Sequence, residues 1–135
     1  MASLFCGVRE LSRISLAIQV IASKASNATT LVFDEVDSGI GGRVAEVVGR
    51  LMRKLGEEGP GQRARQVLAV THLAQVAARA NHQWQVRKQS AVHGTVSHVV
   101  ALGAKERIEE IARMVGGAEL TMATRKTAKE MLDAG

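Results

Sequence analysis

Apolar residues return every third or fourth position between residues 10 and 23. Leu11, Ile14, Ile18 and Ile21 form one stripe, and Leu16 and Val20 widen it. That spacing predicts a deeply packed helix. Ser26, Asn27, Thr29 and Thr30 interrupt it. Leu31-Val32-Phe33 is then a short unbroken apolar run, led in by Thr30 and stopped by Asp34-Glu35. Such a run predicts a strand buried on both faces, as in a parallel sheet. Ser38 to Gly42 reads as a turn. Residues 43–55 read as an amphipathic helix, with Val44, Val47, Val48, Leu51 and Leu55 inward and Arg43, Glu46, Arg50 and Arg53 outward.

Gly56 to Gln66 is rich in Gly, Pro and charge, the composition of a surface loop. Val67-Leu68-Ala69-Val70 repeats the buried-strand pattern and ends in Thr71-His72, and an alanine-rich helix is predicted over 73–80. Residues 83–88 and 95–101 read as two partly exposed strands whose short connection, Ser90 to Gly94, fits a hairpin. Helices over 104–115 and 119–132 close the chain. Ile108, Ile111, Met114 and Val115 form the stripe of the first, and Met114, Met122 and Met131 read as core filler.

The order strand, helix, strand, helix around residues 30–80 predicts a βαβ unit with parallel strands joined right-handedly. Asp34-Glu35 and His72 then leave their strands at the same edge of the sheet. That edge is where open α/β sheets bind ligands.

Composition narrows the class. With 135 residues, 46% hydrophobic and 23% charged, the chain is at most one ordinary globular domain. One Pro, 13 Gly and a net charge of +5 exclude collagen-like, mucin-like and disordered classes. No apolar run approaches the roughly 20 residues of a membrane span. Met1 to Gly7 lacks a secretory pattern, and a single cysteine, Cys6, favours a reducing compartment, so a cytoplasmic location is expected. A pI near 10.0 permits polyanion binding. The aromatic residues are Phe5, Phe33 and Trp84 alone, too few for a surface that stacks bases.

A short apolar strand followed by Asp-Glu has the Walker B pattern. A carboxylate at the place of Asp34 can hold Mg²⁺, largely through water, and Glu35 can orient or deprotonate an attacking water. His72 at the end of the second strand can donate to a γ-phosphate oxygen. Each has a plainer alternative, an acidic solvated turn or a helix-capping histidine. Asp37-Ser38-Gly39 follows at once, and the features together point to phosphoryl chemistry.

Three stretches carry a closer likeness. They are residues 10–18 (Glu10-Leu11-Ser12-Arg13 onward), residues 31–42 (Leu31 to Gly42) and residues 70–78 (Val70-Thr71-His72-Leu73 onward). With Arg107 to Gly117, they resemble the C-terminal part of the RecN family, bacterial DNA repair ATPases related to SMC proteins, with an ABC-type head. The likeness covers roughly residues 10–132. It implies the C-terminal part of a P-loop NTPase fold, a parallel βαβ core plus a β-hairpin and C-terminal helices. By resemblance, Asp34 supports Mg²⁺, Glu35 is the catalytic base, and Asp37, Ser38 and Gly39 form the D-loop, which touches a partner head across ATP. His72 is the switch histidine, and Glu10, Ser12 and Arg13 lie in the signature region. ATP and Mg²⁺ are the implied cofactors. DNA, an N-terminal head lobe and a second copy of the head are the implied partners, with hydrolysis coupled to double-strand break repair in the nucleoid and no membrane involved.

Two departures stand out. The signature Ser-Gly-Gly-Glu is replaced by Gly7, Val8, Arg9 and Glu10, where side chains obstruct close backbone approach to a phosphate. No Gly-x-x-x-x-Gly-Lys-Ser/Thr sequence occurs, so the chain has no phosphate-cradling loop of its own. A lesser departure is Ala74, where the family usually has proline. The expectation is a divergent segment at 1–9 and a partial head over 10–135, unable to turn over ATP alone. Other function classes are a non-catalytic basic α/β module that binds DNA or a protein partner, with Arg63, Arg65, Arg79, Arg87 and Lys88 as a candidate DNA-facing patch, and a metal-dependent nuclease built on Asp34, Glu35 and His72. His82, His93 and His98 lack metal-ligand spacing.

Overall fold

A computed structural model describes residues 28–34, 37, 39–57, 65–91, 94–117 and 119–134. The helix predicted over 10–23 lies outside these residues, as does most of the loop after Gly56. The chain divides into two units, up to Arg79 and from Ala80 onward.

In the first unit, strands β1 (Thr30–Phe33) and β2 (Gln66–Ala69) pair in parallel, with Thr30 opposite Gln66 and Phe33 opposite Ala69. The main-chain bond from Val70 N to Phe33 O, at 2.9 Å, carries the pairing one residue further. Between the strands runs helix α1 (Gly42–Gly56), and after β2 comes a single turn, α2 (Ala74–Ala77). Phe33, Ala45, Val48, Met52 and Val76 form the buried core, with Leu31, Ile40, Leu55, Val67 and Leu73 packed around it.

Burial differs from the sequence pattern in two places. Leu31 and Phe33 alternate with Thr30 and Val32 across the sheet. Phe33 is buried, whereas Val32 is 68% exposed. The strand is therefore buried on one face and not on both. In α1 the buried positions are Ala45, Val48, Gly49 and Met52. Val44, Val47 and Leu51, expected inward, are exposed. The apolar arc of this helix is wider than its contact, and the small residues mark where that contact is closest.

Gly49 shows how close. A Cβ placed there would lie 2.9 Å from Arg79 Cγ and 3.2 Å from the Gln75 carbonyl oxygen. Arg79 is 9% exposed and donates to Glu46 Oε1 at 2.7 Å, so its stem has little room to yield. Helix propensity alone would make Gly49→Ala stabilising by about 1 kcal/mol. Overpacking costs about 1–3 kcal/mol and wins here, so the urea midpoint of Gly49→Ala is expected to fall below that of the parent chain.

α2 is shorter than the predicted 73–80 helix. Ala77 N bonds Leu73 O in the helical pattern, but Arg79 N already bonds Val76 O, three residues back, and the turn ends there.

In the second unit, strands β3 (Trp84–Ala91) and β4 (Gly94–Ala101) form an antiparallel ribbon, with Trp84 opposite Ala101 and Ala91 opposite Gly94. Both strands are longer than expected, and the ribbon is more open than partial exposure implies, with Val86 63% and Val99 70% exposed. Helices α3 (Ala104–Gly116) and α4 (Met122–Asp133) follow. They bury Ile111, Ala112 and Ala128 completely. Gln85 Nε2 donates to Glu110 Oε2 at 2.5 Å and ties the ribbon to α3.

α4 starts three residues later than the pattern suggested, because Thr121 caps it. Thr124 N donates to Thr121 Oγ1, and Thr121 N donates to Thr124 Oγ1. This reciprocal pair fixes the first turn. Met122, just inside the cap, is 83% exposed and is not core filler, and Val115 at the end of the α3 stripe is also exposed. Among the described residues no helix is long and apolar enough to cross a membrane.

Candidate functional site

Because β1 and β2 run parallel and in register, the residues that follow them emerge side by side. Asp34 comes directly after Phe33 and is exposed. Thr71, His72 and Leu73 come shortly after Ala69 and lead into α2. A compact turn follows β1, in which Ile40 N donates to Asp37 O at 3.2 Å. Gly39 sits in that turn at φ 75°, a left-handed conformation that glycine adopts without strain.

Asp37 is 2% exposed, and its carboxylate reaches from this turn to the end of the neighbouring strand. Oδ2 accepts from the Thr71 hydroxyl, from the His72 main-chain N–H at 2.8 Å, and lies 3.1 Å from His72 Nδ1. Thr71 Oγ1 in turn accepts from Leu73 N at 3.0 Å, a local turn that sets up the start of α2. The His72 side chain remains 71% exposed. One buried carboxylate therefore joins the turn after β1 to the turn after β2, and an imidazole stands at the surface beside it.

Burial by itself raises the Asp37 pKa. The Thr71 hydroxyl, the His72 N–H and the charge of His72 outweigh it, and the carboxyl is held below its ordinary value of 3.8. A carboxylate more acidic in the folded state adds stability that is complete above the unfolded pKa and is lost as pH falls through the folded one. Asp37→Asn trades the charged acceptor of these donors for a neutral amide, a change that costs about 1–3 kcal/mol. The expected outcome is that parent and variant differ by that amount in urea melts at pH 7 and converge as the pH is taken below about 4.

Of the other residues singled out in the sequence, Glu10, Ser12, Arg13, Glu35 and Ser38 lie outside the described residues. Sequence reasoning gave Thr71 no role of its own, although a hydroxyl next to His72 at the shared edge was the available signal.

The basic patch does not assemble as expected. Arg79 is buried and paired with Glu46, which also pairs with Arg50 at 2.5 Å. Arg87 and Lys88 are consecutive on β3 and so sit on opposite faces of the ribbon, and Arg87 Nε is bonded to Gln85 Oε1 at 2.6 Å. Arg63 and His93 lie outside the described residues. Among the described residues no group of three or more His, Cys, Asp or Glu side chains is arranged to hold a metal ion.

Comparison with known proteins bears on this edge. No protein-family profile matches the chain. The DNA repair protein RecN of Haemophilus influenzae is 49% identical over 124 residues, which is 92% of this chain. RecN of Vibrio cholerae is 49% identical over 123 residues, and that of Xylella fastidiosa 46% over 123 residues, each covering 91% of the chain. The chain is homologous to part of RecN. It spans 21% of the length of these RecN relatives.

The stretch shared with RecN includes the whole edge described above, since fewer than a dozen residues fall outside the match. A solved SMC ATPase chain, described for ATP-driven dimerization and DNA-stimulated activation, superposes with a TM-score of 0.63. The superposition covers 82% of this chain and 62% of that one at 21% identity. At that identity the likeness shows the fold alone: a mixed α/β arrangement with a parallel strand pair, an antiparallel ribbon and C-terminal helices.

Proposed function

We propose that this RecN homologue contributes the Walker B carboxylates, the D-loop and the switch histidine of an ATPase head. Its residues 10–135 are then a partial head, the C-terminal piece of a RecN-like protein, and 1–9 a divergent segment. One observation carries this proposal most directly. Asp34 and the His72 turn leave adjacent parallel strands at one edge, with His72 exposed and bonded from behind.

The residues present suit Mg²⁺ in part. Mg²⁺ takes one or two carboxylates and keeps much of its water, and Asp34 is an exposed carboxylate in the right setting. When bound with nucleotide, Mg²⁺ neutralises charge on the transferring phosphoryl group. Asp34 would hold the ion through its water, Glu35 would accept the proton of the attacking water, and His72 would meet a terminal phosphoryl oxygen. ATP itself needs a phosphate-cradling loop, which the 135 residues do not contain. A second polypeptide segment, an N-terminal head lobe, therefore completes the site. Asp37, Ser38 and Gly39 would form the D-loop that meets a second copy of the head. Glu10, Ser12 and Arg13 form a degenerate signature that contributes little, since Val8 and Arg9 stand where glycines allow close approach. Coupling to DNA double-strand break repair, in the bacterial cytoplasm and nucleoid, belongs to the assembled protein.

A non-catalytic fragment that docks on DNA has weaker support, because Arg79 is spent on Glu46 and Arg87 and Lys88 diverge. The two functions separate in one experiment. The chain is mixed with a polypeptide from a RecN relative that carries Gly-x-x-x-x-Gly-Lys-Ser/Thr, and steady-state ATP turnover is measured. Turnover well above the sum of the two alone is expected. Turnover equal to that sum at micromolar concentrations of both counts against a competent half-site.

A further inference from the structure

The Asp37 carboxylate is turned into its own chain, with Oδ2 against the Thr71-His72 turn. We propose that Asp37 and Thr71 are positioning residues for His72, holding its imidazole in one orientation and as one tautomer, with Nδ1–H directed at Asp37 Oδ2.

The contacts around Asp37 Oδ2 favour one proton assignment. Asp37 Oδ2 accepts from the Thr71 hydroxyl and from His72 N, and it faces His72 Nδ1 at 3.1 Å. An ionised carboxylate only accepts, so a hydrogen bond across the 3.1 Å contact has Nδ1–H as its donor. Thr71 is equally constrained. One of its lone pairs takes the Leu73 N–H, and its proton goes to Asp37. The side chain thus anchors the carboxylate and shapes the turn that carries the ring. Asp37 is 2% exposed and its main-chain oxygen closes the turn to Ile40, so neither end of the residue is free to swing.

The result is an imidazole with Nδ1 fixed from behind and Nε2 turned to a ligand, an acceptor in the neutral ring and a donor to a phosphate oxygen when the ring carries both protons. Which tautomer a histidine adopts is set by the bond its other nitrogen makes. The ring stays largely exposed, so packing does not hold it, and the Asp37 contact is what orders it. A second head meeting the 37–40 turn therefore finds the Asp37 carboxylate buried against its own chain.

What Nε2 meets depends on the phosphate-facing edge proposed above; the tautomer does not. It is measured without nucleotide, so a failure here leaves the turnover experiment to judge that edge separately. The test is long-range ¹H–¹⁵N NMR of the imidazole nitrogens in the whole 135-residue chain, at about pH 8.5, well above the ordinary histidine pKa of about 6.5. The chain has four histidines, and the His72 signals are assigned as those lost in His72→Gln. The Nδ1–H pattern is expected for the parent and for Thr71→Ser, which keeps the hydroxyl. Thr71→Val, close in shape but without that hydroxyl, is expected to move the ring toward the Nε2–H form, and Asp37→Asn to do so more completely. An Nε2–H pattern in the parent chain, or a Thr71→Val spectrum identical to the parent's, overturns the proposal. Because the parent, Thr71→Ser and Thr71→Val are sufficient, the outcome does not hang on whether Asp37→Asn folds.

Discussion

In the complemented ATPase assay, Glu35→Gln is expected to lower ATP turnover by about 100-fold or more, the range over which a positioned general base contributes. The amide has nearly the shape of the carboxyl but cannot accept the proton of the attacking water. Nucleotide binding should be retained, because the role proposed for Glu35 is on water and not on the phosphates. The diagnostic pattern is therefore a fall in kcat with little change in KM. Turnover unchanged by Glu35→Gln would mean that the base lies elsewhere. An equal loss of binding would point to a structural effect. His72→Ala should behave differently, weakening the step that involves the terminal phosphate while leaving the base in place.

The largest expected effect on stability lies in the second unit. Ile111 is fully buried where α3 and α4 pack, together with Ala112 and Ala128. Ile111→Ala is expected to cost about 2–5 kcal/mol, the lost transfer free energy plus the cavity left behind. Against a usual domain stability of about 5–15 kcal/mol, that loss is enough to bring thermal unfolding of this unit close to ambient temperature. Met122→Ala is the matched control. Met122 is 83% exposed, and a surface change of that kind stays within about 0.5 kcal/mol. Thermal melts of the three chains followed by the near-ultraviolet signal of Trp84, which lies in the same unit, make the comparison.

Much of the fold was legible because its signals are local. Two short apolar runs ending in polar pairs located β1 and β2, and the helix between them implied parallel pairing. Parallel pairing in turn put Asp34 and His72 at one edge. What escaped was set by packing. The apolar positions of α1 span too wide an arc to reveal which part touches the sheet, and the informative residues were the small ones, Ala45 and Gly49. Thr121 displaced the start of α4 through a cap formed with Thr124, not with an acidic side chain, and so hid from a search for Glu or Gln at that position. Arg79 read as a surface charge although its stem fills the gap left by Gly49 and its head pairs with Glu46. At the candidate site, residue types and strand ends could be read from the chain. The direction of the Asp37 side chain could not, because it is fixed by donors thirty-four and thirty-five residues away.

Whether this edge faces a terminal phosphate is tested most directly by nucleotide discrimination. ATP and ADP affinities are measured for the chain assembled with a phosphate-loop segment, comparing the parent with His72→Ala. A hydrogen bond to a charged group is worth about 1.5–3 kcal/mol, so the preference for ATP over ADP should fall by about tenfold or more while ADP affinity holds. If ATP and ADP affinities shift together, or neither shifts, His72 does not meet the γ-phosphate, and the edge shared by Asp34 and His72 is not the hydrolytic half-site proposed for it.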